Sequence, residues 1–134
     1  MTGRTDPRGR RRIAAALALA AVIAAGLGVH ALPDGSPATD VAGDALYAVA
    51  AFALAVLVAP RAPSLLAGAV AAVWCTGVEL LQLTGIPAAL ATTFRPVALV
   101  LGTGFDARDL VVYVAAIAAA VAIDSAARRA TRAG

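Results

Sequence analysis

Residues 64–83 read SLLAGAVAAVWCTGVELLQL. No charge interrupts this stretch before Glu79, and about 20 apolar residues wound as a helix cross the ~30 Å hydrocarbon core of a bilayer. Pro63 sits immediately before it and Gly85 just after it, residue types that start and stop helices. A membrane span over 64–83 is the reading from which the rest of the chain follows.

Upstream, Pro60-Arg61-Ala62-Pro63 is a tight basic turn. Its two prolines end one helix and start the next. Before it lies a second apolar block, Val41 to Ala59, and before that Pro33-Asp34-Gly35-Ser36-Pro37, a turn-rich loop with acids and no arginine. The first apolar block runs from Ile13 to Leu32, behind a polar start carrying Arg4, Arg8, Arg10, Arg11 and Arg12. This block has the outline of a signal peptide, with Val29-His30-Ala31 as a small-residue cleavage site. It is long for such a segment and further spans follow, so it reads as a signal anchor. Downstream, Thr84 to Arg108 is a mixed segment. Leu110 to Ala127 is a fourth block, and Arg128, Arg129 and Arg132 follow.

The composition agrees. Of 134 residues, 61% are hydrophobic and 14% charged. Blocks of this kind exceed what a small soluble domain can hide, because its surface-to-volume ratio demands a polar exterior. The expected fold is all-α, a polytopic membrane protein built as a bundle of four transmembrane helices. Its parts are a cytoplasmic basic tail at 1–12, spans at 13–32, 41–59, 64–83 and 110–127, an outer loop at 84–109 and a cytoplasmic tail at 128–134. Val97–Leu101 is apolar but too short to span, and re-entrant, interfacial and plain loop placements stay open. All eleven basic residues are arginine. Four spans place nine of them on the face with both termini and leave Arg95 and Arg108 on the other. Both termini are therefore expected in the cytoplasm of a cell membrane.

The same composition excludes several functions. One cysteine, Cys75, and one histidine, His30, make neither a disulfide nor a metal-ligand set. Leu101-Gly102-Thr103-Gly104 is a glycine pair without a βαβ context, so no dinucleotide site is expected. No cofactor and no metal are expected. Arginines beside apolar blocks are topology signals, and aromatics are scarce, so nucleic acid is not an expected partner. Membrane lipid is. The oligomeric state stays open.

The polar residues of the spans gather on one side. Asp44 and Tyr47 open the second span, Glu79 and Gln82 lie near the far end of the third, Arg95 is in the outer loop, and Asp109 and Tyr113 open the fourth. Gly68, Ala72, Cys75, Glu79 and Gln82 follow one another at helical steps of three and four, which makes a stripe. Asp44, Ala48, Ala51 and Ala55 make a second stripe, and Asp109, Tyr113, Ala116 and Ala120 a third. Small residues at this spacing let helices approach closely. Asp44 and Asp109 also sit where capping favours a carboxylate, and Asp106-Ala107-Arg108-Asp109 resembles a capping box. Tyr47 and Tyr113 suit an interface belt, and Trp74 suits packing or lipid. Glu79 fits its place least well, since it lies about 6 Å inside the end of its helix and near a C-terminus, where the dipole disfavours negative charge. Arg95 is its nearest candidate partner in sequence.

Gly43-Asp44-Ala45-Leu46-Tyr47, Cys75-xxx-Glu79-xx-Gln82, Arg95, Leu101-Gly102-xx-Phe105 and Asp109-xxx-Tyr113 together resemble a family of small bacterial membrane proteins described only as a domain of unknown function, DUF2809. The resemblance covers residues 13 to 125 and implies a fold and a polar constellation but no reaction. The order Glu-xx-Gln, Arg, Asp is also distantly similar to VanZ-like membrane proteins, which implies a role in the cell envelope. The chain departs from that second pattern at Ala45, Tyr113 and Ala116. The first functional reading is an envelope protein whose outer polar cluster binds a lipid headgroup, an envelope precursor or a partner. The alternative is a VanZ-like membrane enzyme acting on a lipid-linked or envelope substrate, with Glu79 or Asp109 as general acid or base. A transporter is a third class, and four short helices without mid-bilayer charge argue against a monomeric pore.

Overall fold

The computed structural model describes residues 6–33 and 35–133. Residues 1–5 of the basic tail, with Arg4, and Asp34 and Gly134 lie outside the described residues. Six helices follow in order: α1 Pro7–His30, α2 Pro37–Val58, α3 Ser64–Gln82, α4 Ile86–Thr93, α5 Val97–Leu101 and α6 Ala107–Ala133. Among the described residues α1, α2, α3 and α6 are long and apolar enough to cross a membrane. The chain is an all-α polytopic membrane protein.

Helix starts lie further upstream than the apolar blocks suggest, because capping chemistry sets them. Asp6 accepts from the Arg8 amide at 3.2 Å and Pro7 takes the first helical position, so residues 7–12 are helix rather than tail. Ser36 caps α2 in the same way, accepting from the Thr39 amide at 3.3 Å ahead of Pro37. The last arginines also lie on helix, since α6 runs to Ala133. Within the segment 84–109, expected as an outer loop with a re-entrant or interfacial piece left open, the chain forms α4 and α5. Neither is long enough to span, and both pack against the end of α3.

Helix α2 is central and packs against α1, α3 and α6, while α3 also packs against α6. The packing is inside-out relative to a soluble bundle. Leu17, Val58, Leu65, Val73, Val111 and Ile123 face outward, whereas Glu79 is 0% exposed and Gln82 8% exposed. Lipid is the solvent that makes both placements favourable.

The buried stripes are those expected, rotated slightly. On α3 they run through Ser64, Ala67, Gly68, Ala71, Cys75, Glu79 and Gln82, so Ala71 replaces Ala72 at the centre. On α2 they run through Ala48, Phe52 and Val56, with Ala51 and Ala55 at the flank. Tyr113 and Ile117 line α6. Cys75 is fully buried among these residues and serves packing.

Helices α3 and α6 meet closely at Gly68. A β-carbon there would stand 2.5 Å from Cγ2 of Val121 on α6. Val121 is β-branched and stiff, so it yields poorly. Gly68→Val is expected to lose about 1–3 kcal/mol of stability by overpacking. Adding Val121→Ala to the same chain should restore much of that loss in detergent unfolding, a coupling that distant sites do not show.

Candidate functional site

One end of the bundle collects the carboxylates. The end of α3, the starts of α2 and α6, and the α4–α5 segment meet there. Their geometry explains Glu79, whose Oε1 accepts from the backbone amide of Asp106 at 2.7 Å and whose Oε2 accepts from the Tyr113 hydroxyl at 3.3 Å. Asp106 is the residue before α6, and its own side chain accepts from the Arg108 amide at 2.8 Å. In a capping box the Asp106 N–H would be taken by the fourth residue, Asp109. Here Glu79 takes it from another helix. A carboxylate badly placed at the end of α3 is thereby well placed at the N-terminus of α6, where free amides and the dipole favour it.

Arg95 is not the partner of Glu79. Phe94 ends α4 in extended backbone and Pro96 turns the chain, which leaves Arg95 exposed at an outer corner. Its side chain makes no ion pair among the described residues. Arg95→Ala should therefore stay within about 0.5 kcal/mol of the parent, as exposed substitutions do. Combined with Glu79→Ala, its effect should add without coupling in a double-mutant cycle.

The remaining expected residues do come together. Asp109, Arg108 and Glu79 are the charged groups around Asp44, and Tyr113 stands among the carboxylates of Asp44, Glu79 and Asp109. Arg108 reaches Asp106 and Asp109 only at 3.6 and 3.7 Å and is 43% exposed, a loose surface contact worth little. Gln82 donates from Nε2 to the Leu101 carbonyl at 2.8 Å. Gly102 permits this contact twice over. Its backbone has φ 63° and ψ −170°, a region essentially reserved for glycine, and a β-carbon there would collide with the Gln82 amide.

Tyr47 and Trp74 form a second link. The Trp74 indole N–H donates to the Tyr47 hydroxyl at 2.9 Å, and that hydroxyl donates to the Val100 carbonyl at 2.7 Å. The chain Trp74–Tyr47–Val100 ties α3, α2 and α5 together, so Tyr47 is more than a belt aromatic. Its ring lies 6.2 Å from that of Tyr113, within the range of aromatic pairing.

What this end offers is acceptors. Buried Oε1 of Gln82 and Oδ1 of Asp109 have no hydrogen-bond partner among the described residues, and Asp44 stands beside Asp109. No group of His, Cys, Asp and Glu among the described residues has the arrangement of a metal site. A family model described as a protein of unknown function, DUF2809, matches residues 36–117, more than half of the chain. The chain belongs to the DUF2809 family. The matched region contains all seven expected site residues, Asp44, Tyr47, Glu79, Gln82, Arg95, Asp109 and Tyr113, of which the structure separates only Arg95 from the cluster. No curated protein and no solved structure matches the chain.

The opposite end carries a polar clamp that the sequence reading missed. Arg11 donates from Nε and Nη2 to the two oxygens of Asp124, at 3.1 and 2.6 Å, and from Nη1 to the carbonyls of Pro60 and Ala62, both at 2.7 Å. Ser64 donates to Asp124 at 2.6 Å, and Arg128 donates to the Ala62 carbonyl at 2.7 Å. The signal was present, since the stripe Asp109, Tyr113, Ala116, Ala120 reaches Asp124 at its next step of four. This clamp lies outside the matched region except for the turn before α3 and Ser64.

Proposed function

We propose that this DUF2809 protein is an envelope membrane protein with both termini in the cytoplasm, and that its carboxylate end binds the headgroup of an outer-leaflet lipid or lipid-linked precursor. The headgroup is one that donates hydrogen bonds, an ammonium or a polyhydroxyl group. One observation carries this reading: two buried acceptors at this end lack a hydrogen-bond donor, Oε1 of Gln82 and Oδ1 of Asp109, the latter beside the carboxylate of Asp44 and met only by the loose 3.7 Å contact of Arg108. Buried acceptors are costly until something donates to them, and a phosphate or carboxylate has nothing to give. Glu79 is spent on α6 and Tyr113, which favours binding over general-base chemistry at that residue.

The experiment compares retention of phosphatidylethanolamine and phosphatidylcholine by the purified protein in native mass spectrometry. Ethanolamine carries N–H donors and choline carries none. Preference for ethanolamine in the parent, lost in Asp44→Asn/Asp109→Asn, is the expected result. A glycosyl diacylglycerol is the parallel probe for hydroxyl donors. Equal retention of all three lipids by the parent would sink the reading.

A further inference from the structure

The arginine end of the bundle is not closed. Helix α1 packs against α2, and on α1 only Ala15 is buried. A cleft of about 850 Å³ opens between α1, α2 and α6, within the ~300–1,000 Å³ that ligand pockets occupy. Its depth is apolar, with Phe52, Val56 and Ala120 on its wall and the exposed Ala18 and Ile123 also lining it. Its rim is basic, with six arginines and the single carboxylate of Asp124.

That carboxylate is already neutralised by Arg11, whose own donors are taken by Asp124, Pro60 and Ala62. Arg128 has one contact, from Nη1. Arg8, Arg10, Arg61 and Arg132 make no side-chain hydrogen bond or ion pair among the described residues. The rim therefore holds a surplus of guanidinium donors directly above an apolar slot that opens sideways between helices. Guanidinium forks match phosphate oxygens, and basic pockets between membrane helices take anionic lipid headgroups.

We propose that this cleft is a binding site for an anionic phospholipid, with its phosphate on Arg61, Arg132 and their neighbours and an acyl chain lying between α1 and α6. Charge complementarity selects the headgroup, and the apolar depth selects a lipid over a free phosphate. The site is at the opposite end from the carboxylate cluster and needs the opposite ligand chemistry. The two readings stand or fall separately.

The test uses dioleoylphosphatidic acid, which presents a phosphate without an ammonium or a polyol. The full chain in detergent is titrated with it, with dioleoylphosphatidylcholine of the same chains, and with glycerol 3-phosphate, and bound lipid is read by native mass spectrometry. Phosphatidic acid should bind at least about fivefold more tightly than phosphatidylcholine, from roughly one arginine-equivalent of surface attraction or more, and the gap should shrink with salt. Arg61→Gln/Arg132→Gln should lose most of the gap, while Asp44→Asn/Asp109→Asn should keep it. Both arginines are exposed and outside the clamp, so the variant should fold; Ala120→Leu, which narrows the slot, provides a second route and should weaken both lipids. Equal binding of the two lipids, full competition by glycerol 3-phosphate, an unchanged gap in the arginine variant, or a second copy of the chain displacing lipid from the cleft would each overturn the proposal.

Discussion

Replacing Glu79 with alanine is expected to cost about 3 kcal/mol or more in folding free energy measured by detergent unfolding. The removal leaves the Asp106 amide and the Tyr113 hydroxyl without their acceptor, and each buried unpaired group costs roughly 1–3 kcal/mol. It also opens a void at a position that is fully buried. Glu79→Gln should lose less, because its amide oxygen can still accept from Asp106 while the charge that suits the start of α6 is gone. Tyr113→Phe should lose less again, since the 3.3 Å contact is the longer of the two, and its effect should couple to that of Glu79→Ala. If Glu79→Ala proved neutral, the carboxylate would not be what holds α6 against α3.

Arg11→Ala is the second large effect, expected at about 2–4 kcal/mol because it strips a largely buried carboxylate of its partner. Asp124 would keep only Ser64, and the carbonyls of Pro60 and Ala62 would each lose a donor. The consequence should be local as well as global. Helix α1 packs on α2 alone and reaches α6 through this clamp, so spin labels on α1 and α6 should report a broadened distance in the variant. Arg11→Lys should not rescue it, because a lysine cannot present the planar fork that serves Asp124 and two carbonyls together. Arg11→Met/Asp124→Leu should regain much of the stability, as apolar replacements of buried pairs often do.

How much of this was legible follows from which interactions are local. The four spans could be read because length and hydropathy are properties of contiguous residues. The convergence of Asp44, Glu79, Gln82, Asp109 and Tyr113 could be read because helical spacing and span direction place them at one end. The partner of Glu79 could not, because it is a backbone amide, and every residue has one. Arg95 is the nearest side chain in sequence with the right charge. The same limit hid the contacts of Gln82 to Leu101 and of Tyr47 to Val100, both made to carbonyls of α5. The helices start at Pro7 and Pro37, ahead of the apolar spans, because the caps at Asp6 and Ser36 set a helix start while hydropathy marks only its apolar part. Asp124 was legible in the α6 stripe but lay at the end where arginines drew the eye to topology.

Two ends with opposite polarity thus do different work. Buried charges at the arginine end are paired and hold helices. At the carboxylate end only Glu79 is fully engaged, and Asp44 and Asp109 stand side by side with no cation closer than Arg108, 3.7 Å from Asp109. Sites kept for ligands commonly cost stability in this way. The most direct measurement is the unfolding stability of Asp44→Asn/Asp109→Asn against the parent in the same detergent. A variant at least as stable as the parent is the expected result, since two crowded carboxyl groups without a close cation give way to two neutral amides of the same shape. A loss of about 2 kcal/mol or more, as large as that of breaking a buried polar network, would mean that these carboxylates hold the fold rather than wait for a ligand.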